Sequence, residues 1–482
     1  MIRFLLNKDI VELPDYPTDL TVLQYLREYR KTTGTKEGCA AGDCGACTVV
    51  VATVAPDGNN LHYKTINACI ALLSSINGKQ LITVEYLATE QGLHPVQQAM
   101  ADFHGSQCGF CTPGFVMSLF SLYHNQVNPS REDILHALSG NLCRCTGYRP
   151  IIDAALFACE KPKKDRFDQL AQQTIETLNS LAEKQKADLA TSGLMLPKDR
   201  ESLRLCIEMH PEAPLLAGGT DLSLEITQKL KSFEHIISLF EVSELKQIEI
   251  YADYIQIGAA VSLSEMSGTL LQYFPQLKDV FYRFASLPIR NQATLGGNVA
   301  NASPIGDMPP VLMALGASVI ADNGINERTL PLRDFFTGYR STQLADDEWI
   351  SKIEIPLLTK HAKLAAYKIS KRMEDDISAV CAVFKVEVSD EGLITKLATG
   401  FGGVAATPIN CPALETALVG KNWQDKAIVE IGKEILLNAF TPIDDVRASA
   451  QYRKTVLSNL WERFWLEQQQ EVIFKTRVID HA

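Results

Sequence analysis

No run of apolar residues in this 482-residue chain approaches the roughly 18 needed to span a bilayer, and Met1 to Asp9 is too poor in apolar residues for a signal peptide. Positive charge is also scarce. The chain has 46 Lys and Arg residues and 57 Asp and Glu residues. Its net charge of −11 repels both nucleic acid and anionic membrane surfaces. Repeats and low-complexity tracts do not occur. We therefore expect a cytoplasmic, globular protein with no nucleic-acid partner and no membrane association.

Disulfides rarely persist in a reducing compartment, so the twelve cysteines need another explanation. Eight of them fall within the first 150 residues: Cys39, Cys44, Cys47, Cys69, Cys108, Cys111, Cys143 and Cys145. The other four are scattered singly, as Cys159, Cys206, Cys381 and Cys411. Clustered cysteines indicate metal binding, whereas single buried cysteines usually serve as small apolar core residues.

Residues 1–85 have the pattern of a small β-rich unit with one early helix. Thr48 to Val54 is β-branched and apolar, and Leu61 to Ile66 alternates after a turn, which predicts a hairpin. Thr18 or Asp19 is expected to cap the helix, because leucines recur at helical spacing directly after them.

From residue 86 to 160 the period changes to helical. Thr112 and Pro113 predict a helix start, as an N-cap and a first-turn proline, and an apolar face follows. Ser130 and Asp133 resemble a capping box ahead of a second helix.

The rest of the chain suggests two further units behind a polar connection. Residues 161–190 are rich in Gln, Glu and Lys, and predict a linker or exposed helix rather than a basic binding patch. Strands and helices alternate over 191–365, and a further small α/β unit is expected at 366–482. We therefore predict a multidomain α+β chain of four units joined through one linker.

The spacing Cys39-x4-Cys44-x2-Cys47, with Cys69 later, is that of plant-type [2Fe–2S] ferredoxins. Gly38, Gly42 and Gly45 allow the backbone to curl so that N–H groups point at sulfur. A structural zinc site usually pairs cysteines in two knuckles, so zinc fits three cysteines in one loop poorly, as does a disulfide pair.

The second set, Cys108-x2-Cys111 and Cys143-x-Cys145, is compatible with zinc as well as with an iron–sulfur cluster. An antiparallel pair of helices would bring these two motifs together, since one precedes a helix and the other follows the next helix. Two clusters within electron-transfer distance make more chemical sense beside a ferredoxin-like unit than one cluster and one structural zinc.

These motifs carry a family resemblance. A ferredoxin loop followed by Gln107 to Gly114 (QCGFCTPG) and Asn141 to Tyr148 (NLCRCTGY) resembles the molybdenum hydroxylase family of xanthine dehydrogenases, aldehyde oxidases and carbon monoxide dehydrogenases. The resemblance implies a β-grasp ferredoxin domain (1–85) that binds one [2Fe–2S] cluster through the first four cysteines. It also implies a four-helix domain (86–160) that binds the other cluster through the second four. Gln107 would face the molybdopterin of a neighbouring subunit.

Two glycine-rich segments lie in the third unit. Leu215 to Leu222 (LLAGGTDL) predicts a strand that ends in a glycine turn, and Thr294 to Asn298 (TLGGN) predicts a longer glycine turn. Exposed backbone N–H groups in such turns can hold a pyrophosphate, although a plain tight turn is an equally good interpretation of the first. Neither segment fits GxGxxG, so no Rossmann site is indicated.

The same segments resemble the FAD domain of the family, of the vanillyl-alcohol-oxidase and CO-dehydrogenase-flavoprotein type, and the resemblance extends to a C-terminal domain at 366–482. It implies that FAD is bound within 191–365 and by the residues that follow. The implied contacts are Leu215, Leu216, Ala217, Gly218, Gly219, Thr220, Asp221, Leu222, Phe284, Thr294, Gly296, Gly297, Asn298, Asn301, Asp307, Ile350 and Lys368. Without the family, Phe284 and Ile350 would be predicted as core residues and Lys368 as a surface charge.

The resemblance further implies an electron-transfer subunit of xanthine dehydrogenase, an NAD-dependent oxidoreductase of purine metabolism. Electrons from hypoxanthine or xanthine oxidation to urate would pass from a separate molybdopterin subunit through both clusters to FAD and NAD⁺. Tyr339 and Asp375 resemble the residues beside the nicotinamide, although a turn tyrosine and a solvated acidic run are alternatives. Because the chain ends at Ala482, no catalytic residue for purine hydroxylation is expected on it, and an α2β2 heterotetramer with the large subunit is implied.

Three alternatives stay open at this point. The chain could serve another molybdenum hydroxylase that oxidises aldehydes or N-heterocycles, because the substrate pocket lies on another subunit. Molecular oxygen could replace NAD⁺ as the acceptor. In a different class, the chain could be a non-redox scaffold that binds zinc and a nucleotide.

Overall fold

A computed structural model describes residues 1–160, 164–185, 190–191 and 193–469. The chain folds into two compact units. The first comprises residues 1–242 with 286–293, and the second comprises 243–285 with 294–482. The predicted linker at 161–190 and the predicted C-terminal unit each include positions outside the described residues. No helix in the described part of the chain is both long and apolar enough to cross a membrane.

The first unit begins with a five-stranded sheet. Its strands are Ile2–Leu6, Asp9–Leu13, Thr48–Val54, Leu61–Asn67 and Gln80–Ile82, in the spatial order second, first, fifth, third, fourth. The first and last strands in sequence pair in parallel, and the other pairs are antiparallel. The predicted hairpin is confirmed, with Thr48 opposite Asn67 and Val54 opposite Leu61.

Side chains alternate across this sheet, as strand geometry requires. Val49 and Val51 face a core with the early helix, whereas Val50 and Ala52 face the helical domain that follows. Both faces of the central strand are therefore buried, and the sheet is fixed against the helices that carry the second set of cysteines.

The cap of the early helix differs from the prediction. The helix is Val22–Gln24, continued by a π-helical turn Tyr25–Tyr29, and Thr21 is its N-cap. Neither of the two expected caps, Thr18 or Asp19, serves: Thr18 donates its hydroxyl to the Phe233 carbonyl at 2.5 Å, and Asp19 accepts from the Ser232 hydroxyl at 2.8 Å. Thr18 thus bonds a residue distant in sequence, although the local sequence pattern predicted that it would cap the helix.

Four α-helices form the next domain, Pro95–Asp102, Thr112–Asn125, Arg131–Ala137 and Arg149–Glu160, preceded by the 3-10 turns Leu73–Ile76 and Val84–Tyr86. The predicted capping box is confirmed, because Ser130 accepts from the Asp133 N–H and Asp133 accepts from the Ser130 N–H. The predicted N-cap at Thr112 is wrong by one residue. The cap position is Cys111, and the Thr112 hydroxyl bonds that of Ser106.

A long helix, Arg166–Gln185, occupies most of the predicted linker. Leu178 and Leu181 are buried with Leu5 of the sheet, and Phe167 is buried in the core of the helical domain. The segment is therefore an amphipathic helix with one buried side, and its polar composition describes only its outer face.

The first unit ends with a small sheet of strands Ala190–Thr191, Leu194–Met195, Leu215–Leu216 and Ile236–Ser238 and with the helices Arg200–Met209, Leu222–Thr227 and Leu287–Arg290. Leu216 and Ile236 share a hydrophobic core with the ferredoxin-like sheet. The small sheet is thereby tied to the cysteine-bearing domain within one unit.

The second unit has a mainly antiparallel architecture. One sheet is formed by Ile248–Ile250, Tyr254–Gly258, Trp349–Pro356, Ser318–Asp322 and Glu327–Pro331, a ribbon by Phe336–Gly338 and Ser341–Thr342, and a third sheet by Ala362–Ile369, Val380–Val388 and Ile394–Gly402. Its α-helices are Leu263–Tyr273, Lys278–Tyr282, Leu295–Ala300, Met308–Leu315, Leu332–Phe335, Pro412–Leu418, Ala427–Asn438 and Ala450–Glu467, with 3-10 turns at Ser243–Lys246 and Pro275–Leu277. Phe384, Trp423, Trp461 and Phe464 pack at the centre of the last domain.

Candidate functional site

The first cysteine group lies in the loop before the hairpin and directly after its second strand, and these two segments meet at the open end of the hairpin, where Thr48 pairs with Asn67. Cys47 and Cys69 are buried, with their sulfur atoms 3.2 Å apart. The backbone N–H groups of Ala41, Asp43 and Cys44 point at the sulfur of Cys39, at 3.4, 3.3 and 3.4 Å. The loop thus directs amide dipoles at sulfur, which stabilises the negative charge of a metal-bound thiolate.

Glycine is required where this loop is tightest. A Cβ at Gly38 would lie 2.7 Å from the sulfur of Cys44, and Gly45 has φ +68° with a Cβ position only 2.3 Å from the Gly140 carbonyl oxygen. Asn67, which the sequence did not single out, donates its side-chain amide to the Gly42 carbonyl at 2.5 Å. The loop is therefore held by both conformational and hydrogen-bonding constraints.

The thiols of this group perturb one another. Hydrogen bonds from the Cys44 and Cys69 thiols lower the pKa of Cys39, and hydrogen bonding to Cys39 raises the pKa of Cys44 and of Cys69. Negative charge is concentrated on one sulfur because adjacent thiolates repel each other. A bound cationic metal centre removes that repulsion and allows all four to ionise.

The second group is more exposed. Cys108 and Cys145 are exposed, and Cys111 and Cys143 are partly buried. Thr146 donates both its N–H and its hydroxyl to the sulfur of Cys143, at 3.4 and 3.1 Å. Burial and a hydrogen bond with Cys143 raise the pKa of Cys111 to about 12. The helices bring the two motifs together as the sequence predicted.

The arrangement of the sulfur atoms tests the zinc alternative. A mononuclear tetrahedral zinc site with Zn–S bonds of about 2.3 Å requires all four sulfurs to lie about 3.8 Å apart. Among the described residues, which include all twelve cysteines, no three cysteine sulfurs lie within 4.8 Å of one another. The donor sets therefore fit a dinuclear centre, where the ligands of the two irons are farther apart, better than a single zinc ion.

Direct hydrogen bonds link the two cysteine groups. The backbone N–H of Leu142 donates to the carbonyl oxygen of Cys44 at 3.0 Å. Asn141 is buried and donates its side-chain amide to the Gly45 carbonyl at 3.1 Å, while accepting from the Ser118 hydroxyl at 2.6 Å. These hydrogen bonds are made by Cys44 itself or by residues next to Cys44 and close to Cys143. They therefore fix the relative position of the two loops beside the ligand candidates.

The first glycine segment lies in the same unit. Leu215–Leu216 is a strand, and Gly219 has φ +73° in the turn that leads into helix Leu222–Thr227. A Cβ at Gly218 would lie 2.1 Å from the Gln292 carbonyl oxygen, so close backbone packing explains this glycine. Gln228, which ends the helix, donates its side-chain amide to the Ala40 carbonyl at 2.8 Å, next to Cys39. The predicted strand and turn are confirmed, and their helix contacts the first cysteine loop.

The second glycine segment, in the other unit, is a helix start instead of the predicted turn. Thr294 caps helix Leu295–Ala300 by accepting from the Gly297 N–H at 3.1 Å. A Cβ at Gly296 would lie 2.4 Å from the Cβ of Ala259, so close packing requires a glycine at this position. The buried Oδ1 of Asn298 has no hydrogen-bond partner within the described structure, which suits a ligand contact. Asn301 forms the C-cap.

The remaining FAD candidates in the second unit are buried. Phe284 and Ile350 are core residues, as their sequence alone suggests. Lys368, by contrast, is no surface charge: its Nζ lies 2.6 Å from Oδ2 of Asp307, and Ser378 donates to Oδ1 of the same carboxylate at 2.5 Å. Neither the ion pair nor the role of Ser378 could be predicted from the local sequence, because the three segments are distant in the chain.

The candidates for nicotinamide and molybdopterin contacts differ in exposure. Tyr339 is 68% exposed beside the two-stranded ribbon, whereas Asp375 is half-buried and has φ +49°. Arg283, which the sequence did not single out, donates to the carbonyl oxygens of Met373 and Lys368 at 2.9 and 2.8 Å and so fixes the loop that carries Asp375. Gln107 is exposed.

Family models match four consecutive segments of the chain. They are a 2Fe-2S iron-sulfur cluster binding domain at 6–74, a [2Fe-2S] binding domain at 83–156, an FAD binding domain in molybdopterin dehydrogenase at 190–358, and a CO dehydrogenase flavoprotein C-terminal domain at 365–468. The predicted multidomain α+β fold class is confirmed. So is the prediction of two iron–sulfur domains and an FAD-binding domain.

Curated relatives match nearly the whole chain. It is 34% identical to xanthine dehydrogenase of Emericella nidulans, a match that covers 100% of this chain and 40% of the relative. It is 33% identical to xanthine dehydrogenase of Drosophila subobscura, over 90% of this chain and 36% of the relative, and 31% identical to xanthine dehydrogenase/oxidase of Rattus norvegicus, over 97% and 39%. The chain therefore spans about two fifths of the length of these relatives.

Solved structures support the same fold over part of the chain. CO dehydrogenase from Oligotropha carboxidovorans matches with a TM-score of 0.53 and 25% identity, over 57% of this chain and 96% of that one. Quinoline 2-oxidoreductase from Pseudomonas putida 86 matches with a TM-score of 0.53 and 23% identity, over 60% and 100%.

Proposed function

Since this chain belongs to the molybdenum hydroxylase family as an iron–sulfur and FAD-binding member, we propose that it is the electron-transfer subunit of a xanthine dehydrogenase. In this proposal a separate molybdopterin subunit oxidises hypoxanthine or xanthine to urate. The electrons then pass through this chain to NAD⁺. The names of the relatives in fungi, flies and mammals support this choice over aldehyde or N-heterocycle oxidation.

The eight clustered cysteines are the proposed ligands of two [2Fe–2S] clusters. Cys39, Cys44, Cys47 and Cys69 would hold the first, and Cys108, Cys111, Cys143 and Cys145 the second. Iron–sulfur clusters carry single electrons, whereas FAD accepts two and exchanges a hydride with NAD⁺. The polypeptide supplies position and electrostatics. Amide and hydroxyl groups donate to the sulfurs of Cys39 and Cys143, and the burial of Cys47 and Cys69 keeps water away from those two sulfurs.

The hydrogen bond from the Leu142 N–H to the Cys44 carbonyl carries the proposal. This one hydrogen bond connects Cys44, a ligand candidate of the first cluster, to Leu142, the neighbour of Cys143 in the second. Gln228 makes a comparable contact from the predicted flavin segment to the residue after Cys39. These contacts support neighbouring positions for the two clusters and the predicted flavin segment. The proposed order of electron transfer is molybdopterin, helical-domain cluster, ferredoxin-type cluster, FAD and NAD⁺.

The FAD contacts predicted from sequence remain part of the proposal. In the first unit, residues 215–222 supply a turn in which Gly219 adopts the left-handed conformation, with φ +73°. In the second unit, the capped helix start at Thr294 to Asn298 offers N–H groups, which favour a phosphate, and the amide of Asn298. Asn301, Asp307, Lys368, Phe284 and Ile350 complete the set, with the Asp307–Lys368 pair as a fixed polar group.

The candidates outside the FAD set have proposed roles as well. The exposed ring of Tyr339 and the carboxylate of Asp375 are proposed to flank the nicotinamide. Gln107, beside the exposed Cys108, is proposed to face the molybdopterin subunit in an α2β2 assembly.

Reduction of the purified chain by NADH tests the acceptor without the partner. We expect NADH to bleach the visible absorption of both clusters, because electrons can flow backwards through FAD. Tyr339→Ala should raise the NADH concentration needed for half-maximal bleaching, and Tyr251→Ala, at another exposed tyrosine, should not. A protein that contains FAD and iron but is not reduced by NADH would overturn the assignment of NAD⁺.

Co-expression with the molybdopterin subunit tests the substrate. The purified complex should reduce NAD⁺ with xanthine. Turnover with aldehydes or quinoline-type heterocycles and none with xanthine would assign the chain to another molybdenum hydroxylase.

A further inference from the structure

Two groups outside the cysteine loops bring three potential metal ligands within 4.8 Å of one another in the described part of the chain. One is His94 with His124 and Asp165, and the other is His210 with Glu212 and His235. Both lie within the first unit. The distances between their ligand atoms distinguish the two groups.

The first group is a hydrogen-bonded tie. His94 Nε2 lies 2.7 Å from Oδ2 of Asp165, and Val96 donates its N–H to His94 Nδ1 at 3.2 Å. Because Nδ1 accepts, Nε2 carries the hydrogen and donates it to the carboxylate. If a metal ion bound Nε2, the hydrogen of the neutral ring would move to Nδ1. Nδ1 could then no longer accept from the Val96 N–H, and two donors would face each other. This group fastens helix Arg166–Gln185 to the helical domain.

The second group has the spacing of metal ligands. Oε1 of Glu212 lies 3.5 Å from Nδ1 of His210 and 3.4 Å from Nδ1 of His235. Ligands bound to tetrahedral Zn²⁺ at about 2.0–2.1 Å are separated by about 3.3–3.4 Å. Charge-assisted hydrogen bonds are shorter, at about 2.7–2.9 Å. The three atoms therefore match two edges of a zinc tetrahedron better than they match hydrogen bonds.

The two imidazole rings lie against each other on the same side of Glu212. Their centroids are 4.0 Å apart and their planes are inclined by 31°, with both Nδ1 atoms directed at one carboxylate oxygen.

The backbone holds these ligands in place before any ion binds. His210 is the C-cap of helix Arg200–Met209, and Ala213 donates its N–H to the His210 carbonyl at 3.0 Å, which closes a turn around Pro211 and Glu212. His235 directly precedes strand Ile236–Ser238. The side chains of His210 and His235 are 30% and 26% exposed, so water can complete the coordination shell.

We propose that His210, Glu212 and His235 bind one divalent transition-metal ion, with Zn²⁺ as the expected occupant. Two imidazoles and one carboxylate suit Zn²⁺, whereas Ca²⁺ and Mg²⁺ prefer all-oxygen sites. The ion would join the end of a helix to the start of a strand in the small sheet. It is separate in sequence from both cysteine groups, and its role is structural.

Zinc titration of the full chain, loaded with clusters and FAD, tests this site. We expect calorimetry to show one Zn²⁺ per chain, with at least tenfold weaker binding in His210→Ala, Glu212→Gln and His235→Ala. The matched control is His361→Ala, because His361 is exposed and lies 3.8 Å from a single carboxylate, that of Asp390. X-ray absorption at the zinc edge should show nitrogen and oxygen neighbours and no sulfur.

Thermal unfolding supplies a second measurement. Zn²⁺ should raise the melting temperature of the wild-type chain and of His361→Ala, but not that of His235→Ala, because an ion that binds only the folded state stabilises it. Zinc uptake that is unchanged in all three ligand variants, or sulfur ligation with loss of iron, would overturn the proposal.

Discussion

The backbone N–H of Leu142 lies 3.0 Å from the carbonyl oxygen of Cys44 and donates a hydrogen bond to it. This bond joins two loops that each carry cysteine ligand candidates and that are almost a hundred residues apart in sequence. Asn141 reinforces it through its side chain, which is buried and bonds Gly45, Thr48 and Ser118. The relative position of the two cysteine groups therefore depends on a few contacts that can be removed singly.

Asn141→Ala should lower the free energy of unfolding by about 1–3 kcal/mol, because the buried hydroxyl of Ser118 loses its acceptor. Transfer of electrons between the clusters should also slow, because the loops lose part of their register. Urea unfolding and rapid-freeze measurement of cluster reduction would show both effects. Asn59→Ala, in the exposed hairpin turn, should change neither, and equal effects of the two substitutions would contradict this account.

Gly114→Ala should be strongly destabilising, because the new Cβ would lie 2.1 Å from the carbonyl oxygen of Gly45. We expect a loss above about 2 kcal/mol, since backbone atoms of the cysteine loop must move. The control is Gly268→Ala, in helix Leu263–Tyr273, where a Cβ meets no atom within 4 Å. This control should stabilise the chain by up to about 1 kcal/mol. Chemical denaturation of both variants measures the difference.

Cys69→Ser should remove one cluster, and the iron content should fall by about two atoms per chain. Cys159→Ala should leave the iron content unchanged, because Cys159 is packed in the apolar core of the helical domain. Iron analysis and electron paramagnetic resonance of the reduced protein would separate the two variants. A chain that keeps both clusters without Cys69 would disprove its assignment as a ligand.

Lys368→Met should cost about 3–5 kcal/mol, because it leaves the buried carboxylate of Asp307 without its countercharge. The double variant Lys368→Met with Asp307→Asn should lose less than the sum of the two single losses, as expected for a direct pair. FAD content should fall in both single variants. Lys371→Met, at an exposed lysine, serves as the control and should retain FAD.

His136 gives an acid-dependent contribution to stability. Burial, together with the positive charge of Arg290, lowers its pKa to about 4, and Arg290 donates to its Nε2 at 2.8 Å. The unfolded chain binds a proton at His136 below about pH 6.5 while the folded chain does not, so stability is lost as the pH falls from about 6.5 towards 4. Between about pH 7 and pH 5 the wild type should lose about 2 kcal/mol more than His136→Gln, whose amide oxygen can still accept from Arg290. Urea titrations at the two pH values measure this, and equal losses in both proteins would refute it.

Local sequence predicted much of the secondary structure. The β-branched run at Thr48 to Val54 formed its hairpin, and Ser130 with Asp133 formed a capping box, because both depend on residues a few positions apart. Where a distant partner competed, the local prediction failed. Thr18 bonds Phe233 instead of capping a helix, and the polar segment 166–185 buries one side against the sheet.

The chemistry of the donors follows from the sequence alone, since the short loops that must curl around a metal centre dictate the spacing of cysteines and the positions of glycines. Which donors meet depends on the tertiary structure. The bond between Cys44 and Leu142, the buried pair of Lys368 and Asp307, and the convergence of His210 with His235 all join segments far apart in the chain. Such contacts depend on how the sheets and helices pack. Burial and topology bring these side chains together, and the local sequence around one residue does not indicate its partner.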